Sequence, residues 1–112
     1  MSLVLGHTTS AGEEIAKWAL GAKVVKAFNT VLAPVIHSSP QFGNQTATVF
    51  YCGDDAAAKA IVAGLAKESD FDPVDAGPLK NARYLEALTE LLVQLAYGLG
   101  MGTDIAIKLL RR

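Results

Sequence analysis

An α/β fold with a partial three-layer sheet of about three mainly parallel strands and carboxyl-terminal helices is predicted for this chain of 112 residues. Two observations predict it. Short runs rich in β-branched and aromatic residues alternate with stretches of helical periodicity. A tight turn cannot join parallel neighbours, so each intervening helix is expected to connect one parallel strand to the next.

The first helix and strand are indicated by local signals. Ser10 and Glu13 have the spacing of a capping box, which predicts a helix over about residues 11–20. Gly21 is expected to end that helix in a left-handed conformation. The β-branched stretch 23–28 then predicts a strand.

The middle of the chain predicts a second strand and its crossover helix. Residues 30–37 have weak helical character, and residues 38–45 collect the Ser, Pro, Gly and Asn of a loop. A strand is predicted over 46–52. The carboxylates of Asp54 and Asp55 follow it, and helix capping is favoured over ligand binding for both.

The crossover helix is predicted over about residues 56–67. Small and apolar residues at three- and four-residue spacing predict the face that covers the sheet. That face comprises Ala57, Ala60, Ile61, Gly64 and Leu65, and the wet face comprises Lys59, Lys67 and Glu68.

The remaining elements are a short strand and two helices. Residues 71–76 predict a third strand, and Pro73 predicts that it lies at or near a sheet edge. A turn at 77–79 leads to the longest helix, 81–97, whose leucines occupy more than one face and are expected to be surrounded. A final short amphipathic helix is predicted over 105–110.

The composition limits the possible partners. The hydrophobic share of 51% and mean hydropathy of +0.29 are high for a small soluble protein, so a partner surface is expected. No run of about 18 apolar residues offers a membrane span. The net charge of −1 and scattered basic residues argue against nucleic acid. The single Cys52 and the absence of a signal-peptide pattern at the start predict a cytoplasmic protein.

Chemical motifs are few. The glycines at 98, 100 and 102 follow a helix with the wrong spacing for a phosphate-binding Gly-x-Gly-x-x-Gly loop, so they are interpreted as a connector. His7 and His37 lack metal-ligand spacing, and no metal site is expected. Neither Cys52 nor any serine lies in an activating motif. No catalytic residue is therefore named.

Three motifs in order resemble those of a known family. Residues 24–30 read Val-Val-Lys-Ala-Phe-Asn-Thr, residues 49–55 read Val-Phe-Tyr-Cys-Gly-Asp-Asp, and residues 75–86 read Asp-Ala-Gly-Pro-Leu-Lys-Asn-Ala-Arg-Tyr-Leu-Glu. With these motifs the chain resembles the coenzyme F420-dependent NADP oxidoreductase family. The resemblance extends from Gly6 to Arg112.

The resemblance implies a domain organisation. Members of the family begin with a half that carries Gly-x-Gly-x-x-Gly and the residues that select the 2′-phosphate of NADP, and this sequence contains no such motif. Residues 1–79 would then form the carboxyl-terminal half of a Rossmann-like dinucleotide-binding domain. Residues 80–112 would form a helical lid that also takes part in dimerisation. The chain is expected to be a fragment and inactive alone.

The resemblance also implies two sets of site residues. The first set would lie beside the nicotinamide of NADP(H) and comprises Ala27, Phe28, Asn29 and Thr30. The second set would line the pocket of coenzyme F420 or another flavin-type partner and comprises Gly77, Pro78, Leu79 and Asn81. Both sets follow predicted strands, at the edge where open α/β sheets bind ligands, although plain sheet-to-helix turns would look the same.

The implied reaction is direct hydride transfer between NADP(H) and a deazaflavin or flavin. It needs two rings held face to face rather than a protein acid or base. Two alternatives stay open: a non-catalytic oligomerisation module, and one chain of a split oxidoreductase whose partner docks on a bare sheet edge. A homodimer through the 81–97 helix is expected.

Overall fold

Nine regular elements follow one another along the described part of the chain. The computed structural model describes residues 9–19 and 21–112. A short 3₁₀ turn at Leu79–Asn81 precedes the last α-helix, and a π-helical turn at Gln94–Gly98 follows it. The elements are α1 (Ala11–Trp18), β1 (Val25–Ala27), α2 (Ala33–His37), β2 (Gln41–Phe42), β3 (Gln45–Thr46), β4 (Thr48–Gly53), α3 (Ala56–Glu68), β5 (Asp72–Asp75) and α4 (Ala82–Val93).

The central sheet has three strands in the order β1-β4-β5. β4 and β5 run parallel and are joined through α3, as predicted for a crossover connection. β1 runs antiparallel to β4, with Val25 opposite Gly53 and Ala27 opposite Tyr51. The predicted α/β class is confirmed, and the sheet combines one parallel with one antiparallel pair.

Apolar side chains of β4 alternate between two helical layers. Val49 packs with Val35 of α2 and Ala66 of α3 on one face. Cys52 packs with Ala82 and Leu85 on the other face. Because successive strand residues point to opposite faces, this one strand lies at the centre of both cores. The predicted three-layer arrangement follows from it.

The helix α1 begins with the predicted cap. The Ser10 hydroxyl oxygen accepts a hydrogen bond from the Glu13 backbone N–H at 3.1 Å, and Glu13 reaches back to the same hydroxyl. α1 ends at Trp18, and Leu20, the predicted end, lies outside the described residues. Gly21 has the expected positive φ, +86°.

The segment between β1 and β4 contains more structure than predicted. Pro34 lies in the first turn of α2, where its missing N–H interrupts no helical hydrogen bond. The predicted loop 38–45 contains part of a small hairpin, in which β2 pairs with β3 around Gly43 at φ +66°. Two-residue strands are too short to give a periodic sequence signal.

The helix α3 has the predicted position but faces the sheet with a different side. Asp55 caps it by accepting from the Ala58 N–H at 2.8 Å. Ile61 is 67% and Leu65 53% exposed, whereas Ala66 is buried. The face prediction was wrong because Lys59, assigned to water, turns inward to bond groups at the end of β5.

The carboxyl-terminal segment forms neither a helix nor a strand, which corrects the prediction over 105–110. The Ile107 carbonyl accepts from the Thr48 N–H at 2.8 Å, and the Leu109 N–H donates to the Thr48 hydroxyl at 3.0 Å. Lys108 pairs with Asp72 at 2.9 Å. These contacts with neighbouring strands outweigh the amphipathic pattern, which alone favours a helix.

The helix α4 and its π-helical continuation cover the predicted 81–97 region. The helix α4, which belongs to the predicted helical lid, packs directly on β4 of the predicted dinucleotide-binding half. The predicted domain boundary between residues 79 and 80 therefore stays a prediction. No helix within residues 9–19 and 21–112 is long and apolar enough to cross a membrane.

Candidate functional site

The turn after β1 is strained. Ala27 is the last residue of the strand, and Phe28 follows with φ +63°, a left-handed conformation that L-residues with large side chains rarely adopt. The Phe28 ring meets the Phe71 ring edge-on, with centroids 5.9 Å apart. Packing in the Val49 core therefore holds the backbone in this conformation.

Asn29 joins that turn to α4. Its Nδ2 donates to the Leu85 carbonyl at 2.9 Å and to the Thr89 hydroxyl oxygen at 2.7 Å. The Thr89 hydroxyl donates in turn to the Asn29 carbonyl oxygen at 2.8 Å. Asn29 Oδ1 and the Thr30 hydroxyl are buried and have no hydrogen-bond partner within residues 9–19 and 21–112.

The second predicted set forms a turn held by internal hydrogen bonds. Gly77, at φ +92°, accepts from the Gly53 N–H at 3.1 Å and from Lys59 Nζ at 3.2 Å. Asn81 Nδ2 donates to the Ala76 carbonyl at 2.7 Å. Leu79 is buried and Pro78 exposed. The Asn81 amide and the Leu79 side chain therefore have structural contacts in this chain.

Two aspartates support the same turn. Asp54 accepts from the Leu79 N–H at 3.0 Å, so only its neighbour Asp55 caps α3. Asp75 pairs with Lys59 at 2.8 Å and accepts from the Gly77 N–H. The Lys59 ammonium and that N–H hold the pKa of Asp75 below its usual value.

The two predicted sets do not share one sheet edge. Because β1 is antiparallel to β4, the turn at 27–30 lies at the end of the sheet where β4 and β5 begin. The turn at 77–81 lies at the opposite end. The helix α4 connects them, since Asn81 precedes its first turn and Leu85, which binds Asn29, lies about 6 Å further along the axis.

A carboxylate at the start of α1 was not anticipated. Glu86 accepts from the Ala11 N–H at 2.9 Å and from the Gly12 N–H at 3.3 Å. Lys26 lies 3.6 Å from it. The positive end of the α1 dipole thus meets a side chain 74 and 75 positions away. No local pattern predicts such a contact.

Among the remaining serine and histidine candidates, the serines named here make structural hydrogen bonds, and the histidines show no functional contact in the described residues. Ser10 caps α1, and Ser39 accepts from the Gln41 N–H at 3.1 Å. His37 is exposed at the end of α2, and His7 lies outside the described residues. No group of three potential metal ligands comes together in the described part of the chain.

Cys52 is a fully buried thiol, and burial raises its pKa from 9.0 to about 11. The folded state therefore holds this proton more tightly than the unfolded state does. Stability is retained below the unfolded pKa and is lost as pH rises above it, by about 1.4 kcal/mol per pH unit up to the folded pKa. We expect urea midpoints to fall above about pH 9 and the Cys52→Ala variant to lack this component. Parallel midpoint curves for the two proteins would contradict the prediction.

Comparisons with known proteins agree with the fold and the motifs. Over 98% of its length the chain matches a crystal structure of a candidate F420-dependent NADP-reductase from Arthrobacter sp. FB24, with TM-score 0.88 and 35% identity, covering 50% of that chain. A hypothetical protein from Sinorhizobium meliloti matches 73% of the chain at 35% identity and TM-score 0.64, covering 40% of its own chain. No model of a protein family matches.

A curated relative matches a shorter stretch. Metalloreductase STEAP3 of Rattus norvegicus is 38% identical over 84 residues, which are 75% of this chain and 17% of that protein. The chain thus spans half the length of the Arthrobacter protein and a small part of the rat protein. The predicted resemblance of this chain to the coenzyme F420-dependent NADP oxidoreductase family is confirmed in both sequence and fold.

Proposed function

We propose that this chain is one half of an NADP(H)-dependent oxidoreductase that transfers hydride between NADP(H) and a deazaflavin or flavin-type partner. It would supply the wall beside the nicotinamide, and a second half would supply the phosphate-binding glycine loop that this sequence lacks. The match to half of the Arthrobacter protein at 35% identity supports this division. The chain alone is expected to be inactive.

The strained turn at residues 28–30 carries the proposal. A positive φ at Phe28 is unfavourable, and each buried polar atom without a partner costs about 1–3 kcal/mol. Such unfavourable features persist where the surrounding structure enforces them, and they concentrate at functional sites. Asn29 Oδ1 and the Thr30 hydroxyl are two of the three such atoms in the described residues, and both belong to the set that the resemblance implies; the third is Glu90 Oε2 of α4.

The free groups suit an amide-bearing ring. Asn29 Oδ1 is a hydrogen-bond acceptor, since the Nδ2 of the same amide donates to Leu85 and Thr89. A nicotinamide carboxamide offers N–H donors that match this acceptor. When bound, NADPH supplies the hydride, and the chain contributes orientation and exclusion of water. Both protein groups are covered in this chain, so a ligand reaches them only if the covering segment moves.

Thr30→Val separates a ligand role from a structural role. The valine has the same shape without the unpaired hydroxyl, so we expect folding stability to be unchanged or to rise by about 1 kcal/mol. In a chimera that joins the unmatched half of the Arthrobacter protein to this chain, the same substitution is expected to weaken NADPH binding about fivefold or more.

The readouts are a urea midpoint for the isolated chain and calorimetric titration of the chimera. An NADPH affinity unchanged by Thr30→Val would remove that hydroxyl from the proposed site. A loss of stability would show that the hydroxyl has a partner in the fold. Reduction of coenzyme F420 by NADPH in the unsubstituted chimera tests the reaction itself.

A homodimer through α4 is a second proposal, favoured by one exposed stripe. Tyr84 and Leu91 are exposed and lie seven residues, or about two turns, apart on the same side of the helix. Leu88 and Leu95, between and after them, are partly exposed. Leu92, which lies in the same helix, is only 3% exposed and packs inside the fold.

A further inference from the structure

The Thr89 hydroxyl of α4 contacts Asn29 at two points. It accepts a hydrogen bond from Asn29 Nδ2 at 2.7 Å, and it donates to the Asn29 carbonyl oxygen at 2.8 Å. A hydroxyl has one proton and two acceptor lone pairs, so a single side chain can make both bonds. Thr89 therefore fixes both the side-chain amide and the main chain of a residue that lies 60 positions away.

The chemistry of these contacts determines which way the Asn29 amide faces. The Leu85 carbonyl lies 2.9 Å from the amide and can only accept, so the atom that faces it must be the nitrogen, Nδ2. The two N–H groups of Nδ2 bind the Leu85 carbonyl and the Thr89 hydroxyl, which leaves neither of them free. A half-turn of the amide would break both bonds and place Oδ1 against another carbonyl oxygen. Oδ1 is therefore held on the side away from the Leu85 carbonyl.

Asn29 Oδ1 has no partner in the place where these bonds hold it. The atom is buried, and no donor within residues 9–19 and 21–112 reaches it. Buried polar atoms in native proteins are nearly always hydrogen-bonded, because an unpaired one costs free energy. A donor that comes from outside the described residues would therefore stabilise this arrangement.

The bond from Thr89 to the Asn29 carbonyl also restrains the strained turn. A peptide unit is planar, so a fixed Asn29 carbonyl fixes the direction of the Thr30 N–H as well. Phe28, at φ +63°, comes directly before, and its ring packs edge-on against Phe71. The Val49 core on one face of the sheet and α4 on the other face therefore hold this turn together.

The helix α4 does not need Asn29 in order to satisfy Thr89. The Thr89 hydroxyl also lies 3.0 Å from the Leu85 carbonyl, one turn earlier, which is where a threonine inside a helix commonly donates. The hydroxyl proton therefore has an alternative acceptor within α4. What the contact between Thr89 and Asn29 adds is the position of the turn relative to α4.

We propose that Thr89 is a positioning residue, which holds Asn29 Oδ1 where it accepts an N–H of the nicotinamide carboxamide. Thr89 itself touches no reacting atom. The ligand class is a pyridine dinucleotide whose ring carries a primary carboxamide, because this group brings an N–H donor to the acceptor. The inference rests on the proposed function, since it takes the turn at residues 27–30 as the wall beside the nicotinamide.

An analogue of NADP⁺ in which an acetyl group replaces the carboxamide provides the test. The acetyl group keeps the carbonyl and the shape of the substituent but has no N–H, so Asn29 Oδ1 would stay unpaired beside it. We expect the chimera to bind NADP⁺ about tenfold more tightly than this acetylpyridine analogue in calorimetric titration, because one hydrogen bond usually contributes about that much.

Substitutions of Thr89 in the chimera show whether it positions Asn29. Thr89→Val has the same shape without the hydroxyl, and we expect it to reduce the preference to less than about twofold by weakening NADP⁺ binding alone. Thr89→Ser keeps the hydroxyl and should keep the preference. Tyr84→Phe removes a hydroxyl from the exposed side of α4 and, as the control, should change neither affinity. If Thr89→Val does not fold, Thr89→Cys, whose thiol is a weak donor and acceptor, replaces it with an expected preference of about threefold.

The same titrations separate this inference from the proposed function. An unsubstituted chimera that binds neither ligand would refute the proposed function and the inference that rests on it. An unsubstituted chimera that prefers NADP⁺, together with a Thr89→Val or Thr89→Cys variant that keeps the full preference, would refute only the role of Thr89. Equal weakening of both ligands by Thr89→Val would make Thr89 a purely structural residue and would also overturn the proposal.

Discussion

Leu92→Asp is expected to prevent folding of the chain. The side chain is 3% exposed on the inner side of α4, so the substitution removes a buried leucine and places a charge in an apolar region. Loss of a buried leucine alone typically costs about 2–5 kcal/mol, and a domain of this size has a total stability of roughly 5–15 kcal/mol. Circular dichroism should show loss of helical signal and of a cooperative urea transition.

Leu91→Asp is the matched control, since Leu91 is 52% exposed one position away. We expect it to leave the chain folded and to reduce the dimer population in light scattering at about micromolar concentration, because the charge would enter an apolar interface. An unchanged dimer would reject α4 as the interface. A folded Leu92→Asp protein would contradict the described packing of α4.

Glu86→Ala is expected to give the second largest loss of stability, about 2–4 kcal/mol. The substitution removes the acceptor for the Ala11 and Gly12 N–H groups and the carboxylate beside Lys26. Hydrogen bonds to charged groups contribute about 1.5–3 kcal/mol, and a carboxylate at a helix amino terminus adds up to about 1 kcal/mol. The helix α1 should lose its attachment first.

Urea denaturation measures the loss, and amide exchange of α1 locates it. Lys17→Ala is the control, because Lys17 pairs with Glu14 on an exposed surface where such pairs contribute about 0–1 kcal/mol. Glu86→Gln should fall between the two, since its neutral amide retains one acceptor. Equal stability of Glu86→Ala and Lys17→Ala would show that Glu86 does not hold α1 in place.

The sequence predicted correctly the helices and strands that are determined by residues close together in the chain. Ser10 and Asp55 cap the helices that they were expected to cap, and β4 lies where β-branched and aromatic residues cluster. The course of the non-helical segment at 105–109 depends instead on Thr48 and Asp72, far away in sequence. A helical pattern of apolar residues contains no information about such partners.

The direction of β1 relative to β4 has the largest consequence for the arrangement of the candidate site. Alternation of strands and helices favours parallel pairing, but the connection from Ala27 to Thr48 passes through a short helix and a hairpin and returns antiparallel. The two predicted ligand turns therefore lie at opposite ends of the sheet. The contact between Asn29 and Thr89, 60 positions apart, joins the first turn to α4 and has no counterpart in the sequence pattern.

Calorimetric titration with NADPH, with NADH as the comparison ligand, tests the central claim that this chain supplies only half of a dinucleotide site. The account predicts no saturable binding to the chain alone up to about 1 mM NADPH, and saturable binding preferring NADPH over NADH to the chimera. Tight, saturable binding of NADPH to the chain alone would contradict it.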